Sequence, residues 1–240
     1  MPIRSVNIDA MNTEQTSTID GRVAIHAALA DPARLRIVDT LSAGDVSPSE
    51  LASRLAMPSN LLAHHLNVLE ACGLVSRRRS EGDRRRSYVH LVRGMLVSVV
   101  PIGAHSARIA RSPQRILFVC TANSARSHLA AALWRQVSTV PVTSAGTRPA
   151  DRIDPRALAA ARRHQLRVPR VRPQAISGVQ LEGDLIVTVC DFAHEELGDR
   201  AALHWSIPDP VRVGSDQAFD HALEQLAQRV SQLAPQLALS

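Results

Sequence analysis

The apolar positions of this chain follow two different rhythms. Between residues 20 and 92 they recur at helical spacing in short blocks, each opened by a polar residue and a proline. Asp31-Pro32 reads as an N-cap with proline at the first helical position, leading into Leu35, Val38 and Leu41 on one face. Ser47-Pro48-Ser49-Glu50 has the form of a capping box, with Leu51 and Leu55 supplying the apolar side. After the turn Met57-Pro58-Ser59-Asn60, with Ser59 as the expected cap, Leu62, Leu66 and Leu69 continue the pattern to a stop near Gly73. Two short helices joined by a tight turn make a helix-turn-helix. A hairpin should follow, ending in the strand Tyr88-Val89-His90-Leu91-Val92.

From residue 115 the rhythm changes. The apolar run Ile116 to Cys120 and the largely apolar segment Asp184 to Cys190 read as strands, and Ser127 to Trp134 reads as the start of a helix. Alternating strands and helices predict a parallel sheet with helices on both faces. The expected fold class is therefore two domains, a mainly α helix-turn-helix domain followed by an α/β parallel-sheet domain. The boundaries expected are 17–103 for the first, 104–114 for an arginine-bearing linker, and 115–240 for the second. Within the first, Met95 to Val100 is a candidate dimerisation element closed by Pro101. A chain of 240 residues that is 45% hydrophobic can bury a core in each half.

Composition adds a bias. All 28 basic residues are arginine and the formal net charge is +6, which fits an acidic partner such as DNA without establishing one. Met1 to Asn12 lacks the apolar core of a signal peptide, and Met95 to Ala104 is too short to span a bilayer. Three unevenly spaced cysteines do not make a disulfide framework. A cytoplasmic protein with no membrane partner is expected. No bound metal is expected either, since the neighbours His64 and His65 point in different directions on a helix.

The outward face of the second helix of the pair should show Ser59, Asn60, Ala63, His64 and Asn67. Such residues suit base edges in a major groove, and equally suit a solvated surface. The next segment tips the balance. Arg77, Arg78, Arg79, Arg84, Arg85 and Arg86 flank a glycine-containing turn, a charge density suited to DNA phosphates. Here the chain resembles the ArsR-type winged-helix repressors, through Asp31-Pro32-Ala33-Arg34-Leu35, Glu50-Leu51-Ala52, His65-Leu66-Asn67-Val68-Leu69 and Gly73-Leu74-Val75. The resemblance implies a homodimer that binds a double-stranded DNA operator and releases it when an inducer binds. Many arsenic-sensing members carry a Cys-x-Cys pair near Glu50; Leu51-Ala52-Ser53-Arg54 has none, and Cys72 reads as a core residue.

The candidate chemistry lies in Cys120-Thr121-Ala122-Asn123-Ser124-Ala125-Arg126-Ser127. A cysteine closing a strand, five small or polar residues, and an arginine at a helix start place a thiol in a loop whose amides and helix dipole favour an anion. Arg126 adds a planar fork for two oxygens of a tetrahedral anion, and Ser127 can donate to the cysteine sulfur. Asn123 suits a left-handed, loop-bracing position.

The order of strand, C-x5-R-S and helix resembles the low-molecular-weight tyrosine phosphatase superfamily, which includes one class of arsenate reductases. The resemblance covers residues 114–240 and includes Ser144-Ala145-Gly146-Thr147, the second strand and Asp209-Pro210. It implies Cys120 as nucleophile, Arg126 as oxyanion ligand and Asp209 as general acid. Family phosphatases usually place aromatic residues after the Asp-Pro pair; here Val211-Arg212-Val213 follows, which turns the expectation toward arsenate. The Thr121, Asn123 and Ser124 pattern and Trp205 also look more like the arsenate reductases.

Thioredoxin-coupled reductases of this kind use two further cysteines seven residues apart. Cys190 matches the first and Leu197 occupies the second; Ala122 and Ala125 also depart from the usual residues. Cys190 is thus either a resolving thiol or a buried strand-end residue. The expected electron source is an external thiol such as mycothiol, glutathione or thioredoxin, with no cofactor bound. The alternatives kept open are an oxyanion-sensing regulator and a protein phosphotyrosine phosphatase.

Overall fold

The computed structural model describes residues 19–92, 113–169 and 171–238. They form two compact units, one mainly helical and one built on a sheet. The expected dimerisation element, residues 95–100, and nearly all of the expected linker lie outside the described residues.

The helical unit comprises α1 (Ile19–Leu29), α2 (Pro32–Ala43), α3 (Pro48–Arg54) and α4 (Ser59–Ala71), then the two-stranded sheet β1 (Val75–Arg79) and β2 (Ser87–Leu91). Its helix ends follow the local chemistry. Asp31 caps α2 by accepting from the amides of Ala33 and Arg34 at 2.8 and 3.0 Å. The Ser47–Glu50 capping box of α3 is complete, each side chain accepting from the other residue's amide. At the end of α4, Gly73 takes a left-handed φ of 74°, and Leu74 donates to the Leu69 carbonyl while Gly73 donates to that of Glu70. Those two bonds satisfy carbonyls that the helix leaves open.

Two local expectations need correction. Ser59 does not cap α4: Pro58 occupies the N-cap with no side-chain bond, and Ser59 is the first helical residue. Leu35 is 46% exposed, and the buried face of α2 runs instead through Ile37, Val38 and Leu41, a tighter helical stripe. These pack with Leu51, Leu62, Leu66, Leu69 and Val89 in one core.

The second unit carries a four-stranded sheet of β3 (Arg115–Cys120), β4 (Val142–Gly146), β5 (Asp184–Thr188) and β6 (Leu203–His204), in the order β4-β3-β5-β6 and parallel throughout. Around it run α5 (Arg126–Val137), α6 (Pro155–Arg163), α7 (Ile176–Val179), α8 (Asp191–Leu197), α9 (Pro210–Val213) and α10 (Asp216–Ala238). Ile116 to Val119 are fully buried because both faces of β3 are covered. Phe118 packs edge-on to Trp134 of α5, ring centroids 6.2 Å apart, and against Trp205 at 5.5 Å. At the start of the sheet Arg115 grips Asp184 through two bonds of 2.8 and 2.7 Å. Burial alone would raise the Asp184 carboxyl, but the Arg115 bond and the Leu181 amide hold it below the usual carboxylate range.

The strand order places the site. After β3 the chain moves to one side of the sheet, and after β5 to the other, so a crevice opens between their carboxyl ends. Cys120 ends β3, and Cys190 follows β5 by two residues.

Candidate active site

The loop after Cys120 is shaped by its carbonyls. The oxygens of Cys120, Thr121, Ala122 and Ser124 accept from the amides of Thr147, Arg148, Ala150 and Asp154, at 3.1, 2.8, 2.9 and 2.8 Å. With the carbonyl edge engaged outward, the amide edge turns inward, toward the first turn of α5. Ala125, the residue before α5, offers no side-chain cap, so the helix start keeps its donors for a ligand. Gly146 is required by this packing. A Cβ there would lie 2.6 Å from the Thr121 carbonyl oxygen and 2.9 Å from the Asn123 nitrogen.

Cys120 is 3% exposed, and its sulfur lies 3.1 Å from the Ser127 hydroxyl. Asn123 is fully buried at a left-handed φ of 47° and donates through Nδ2 to Ser127 at 2.9 Å and to Ser144 at 3.1 Å. Its Oδ1 accepts from the Gln174 amide at 2.9 Å. The loop is therefore tied to β4 and to the segment before α7. His128, the third residue of α5, places Nδ1 3.4 Å from Ser144, and burial pushes its pKa down to about 4 against a smaller opposing pull from the Asn123 backbone.

Arg126 is 6% exposed and donates through Nη1 to the Ile207 carbonyl at 2.9 Å, while Nη2 lies 3.0 Å from Asp209 Oδ2. Burial works against its charge, but facing Cys190, Asp209 and Cys120 raises its pKa above the ordinary guanidinium value. Asp209 also caps α9, accepting from the Val211 amide at 3.1 Å. Asp209, far from Cys120, Arg126 and Ser127 in sequence, thus joins them at one crevice.

Cys190 is fully buried at the N-cap of α8, with its sulfur 3.4 Å from Thr121 Oγ1 and 3.4 Å from the Ala193 amide. Burial pushes its thiol up to about 11, so it is protonated at neutral pH. Thr121, Ala122 and Ser124 are partly exposed on the loop, whereas Ala125 is buried. Val211 and Val213 are exposed beyond Asp209, and Phe192, on the first turn of α8, is 43% exposed. Among the described residues no group of three or more His, Cys, Asp or Glu is gathered as for a metal ion.

A low-molecular-weight phosphotyrosine protein phosphatase model matches residues 115–240, more than half of the chain. The chain belongs to the low-molecular-weight phosphotyrosine protein phosphatase family. The matched stretch holds Cys120, Arg126, Ser127 and Asp209. Among solved structures it is similar to an arsenate reductase from Archaeoglobus fulgidus, at 29% identity over 50% of this chain and 98% of that one, TM-score 0.45. It is also similar to the tyrosine phosphatase Wzb from Escherichia coli K30, at 27% identity over 52% of this chain and 99% of that one, TM-score 0.46.

A helix-turn-helix domain model matches residues 29–78. The transcriptional repressor SdpR from Bacillus subtilis is 31% identical over 55 residues, 23% of this chain and 61% of that protein. The regulator CmtR from Mycobacterium bovis is 44% identical over 48 residues, 20% of this chain and 41% of that protein. The match thus spans less than two thirds of both regulators. This member of the phosphatase family therefore carries a helix-turn-helix domain ahead of its phosphatase-family domain.

In that domain Ser59, Asn60, Ala63, His64 and Asn67 are all exposed along α4. Asn67 Oδ1 accepts from Arg77 Nη2 at 2.8 Å, and Arg77 Nε lies 3.3 Å from Glu70, so a β1 arginine is anchored on α4. Arg79, Arg84, Arg85 and Arg86 are exposed and Arg78 is half-buried; Arg85 also bonds Asp83. His65 turns inward at 7% exposure and His64 outward, as their adjacency requires. Cys72 packs against the core, with its sulfur 3.3 Å from the Leu69 carbonyl. Among the described residues no helix is long and apolar enough to cross a membrane.

The residues that brace the loop, Ser144, His128 and Gln174, were not among the expected site residues. The sequence signal for them is faint: Ser144 stands out only as part of the segment Ser144-Ala145-Gly146-Thr147.

Proposed function

We propose that this chain is a DNA-binding repressor whose second domain is a thiol-dependent arsenate reductase. The observation that carries the reading is a second sulfur beside the anion loop, Cys190 Sγ lying 3.4 Å from Thr121 Oγ1. The non-aromatic rim Val211-Arg212-Val213 supports a small anion over an aryl ester. Arsenate binds between the loop amides and Arg126. The Cys120 thiolate attacks arsenic and forms an S–As bond as an oxygen leaves as water, with Asp209 supplying the proton. A second thiol then attacks the Cys120 sulfur. An S–S bond forms, the electron pair of the S–As bond stays on arsenic, and arsenite departs as As(III).

The second thiol is either Cys190 or an external one. Cys190 is buried and protonated, so its attack requires the first turn of α8 to open. An external mycothiol, glutathione or thioredoxin regenerates Cys120 in either case. In the helix-turn-helix domain, α4 enters the major groove of a double-stranded operator and the arginines of the hairpin hold phosphates. The chain acts as a homodimer in the cytoplasm.

Arsenic speciation after incubation with arsenate and each thiol system in turn tests this reading. Arsenite is expected with at least one of them; none with any would overturn it. A second reading, phosphotyrosine hydrolysis, is favoured by one observation: the exposed ring of Phe192 beside Cys190 is a surface on which an aryl group can stack.

A further inference from the structure

The hydrogen bonds behind the loop have a forced direction. The Gln174 backbone amide can only donate, so the Asn123 atom it meets is the oxygen, and Nδ2 faces Ser127 and Ser144. Nδ2 can only donate, so both serine oxygens accept from it. Each hydroxyl has one proton left. That of Ser127 has the Cys120 sulfur at 3.1 Å, and that of Ser144 has His128 Nδ1 at 3.4 Å.

His128 must then carry its proton on Nε2. The Asn123 backbone carbonyl also draws on the ring's N–H. The opposite tautomer would leave the Ser144 hydroxyl proton without the Nδ1 acceptor. Adding a second proton would set Nδ1–H against the Ser144 hydroxyl proton in a side chain only 3% exposed.

We propose that His128 is a positioning residue of the anion loop. By taking the Ser144 proton it keeps the Ser144 oxygen an acceptor for Asn123, and so holds the amide that turns the Ser127 proton onto Cys120. The depression of its pKa to about 4 keeps it neutral wherever Cys120 would work. The proposal rests on Cys120 being the nucleophile, but not on which oxyanion it attacks.

The test reads the thiol without any substrate. In the full chain carrying Cys72→Ser, the pH dependence of Cys120 alkylation by iodoacetamide is followed by peptide mass spectrometry. His128→Asn keeps an acceptor where Nδ1 lies; His128→Leu keeps bulk and removes it. The expected result is an unchanged midpoint for His128→Asn and a midpoint raised by about half a unit for His128→Leu, some threefold less thiolate below it. Ser144→Ala removes the same proton donor and should raise the midpoint equally, and it carries the test if the leucine variant does not fold. An unmoved midpoint in His128→Leu or Ser144→Ala, or equal rises in the Asn and Leu variants, would overturn the proposal.

Discussion

The carboxylate of Asp209 rests 3.0 Å from the guanidinium of Arg126, on the group that would bind the substrate oxyanion. An anion entering the loop has to displace it, and the displaced carboxylate then stands beside the oxygens it would protonate. Asp209→Asn separates these two roles. Binding of phosphate or arsenate should tighten, because a competing negative charge is removed. Turnover should fall by about two to four orders of magnitude, because the proton donor is lost. Calorimetry and steady-state kinetics on the same preparation check both; weaker anion binding would contradict the arrangement.

His128 gives the second domain a defined acid sensitivity. Its folded-state pKa of about 4 lies below the ordinary histidine value of 6.5, so the unfolded chain binds the extra proton first. Stability is then full above about 6.5 and falls as the pH drops toward 4, by on the order of 3 kcal/mol over that window. Denaturant melts of parent and His128→Asn across that range should show the slope in the parent and a shallower one in the variant.

The hairpin arginines should act through phosphates. Arg84→Ala, Arg85→Ala and Arg86→Ala are each expected to weaken DNA binding similarly on specific and unrelated sequences. Each should reduce the salt slope of log K by about 1. Asn67→Ala should instead relax sequence preference, at a cost of about 1–3 kcal/mol on the best site. Fluorescence anisotropy over a salt series distinguishes the two behaviours.

Ser47→Ala removes one arm of the capping box on α3: the Glu50 backbone amide loses its acceptor, while the Glu50 side chain keeps the amide of residue 47. A loss of about 1 kcal/mol in the stability of the helical unit is expected by chemical denaturation.

Much of this was legible in the chain because it is local. Proline after Asp31 and Ser47, glycine after Cys72, and an unbroken apolar run into Cys120 each announce their structure within a few residues. The left-handed Asn123 belongs to the same class. What could not be read is tertiary. Asn123 meets Gln174 across 51 residues and Ser144 across 21, and no periodicity marks such pairs. Ser59 misled because Ser-x-x-x after proline looks like a cap, whereas Pro58 already holds the extended cap geometry itself, at φ −56° and ψ 140°. Leu35 misled because i, i+3 spacing back from Val38 fits a helical stripe as well as the adjacent Ile37 does, and only the tertiary packing chooses between them.

The measurement that bears most directly on the account is arsenite formation from arsenate by the parent chain and by Cys120→Ser, with aryl phosphate hydrolysis followed in the same preparations. Arsenite from the parent and none from the variant is the predicted result. Aryl phosphate hydrolysis that disappears in Cys120→Ser, with no arsenite from either protein, would contradict it and leave a phosphatase in its place.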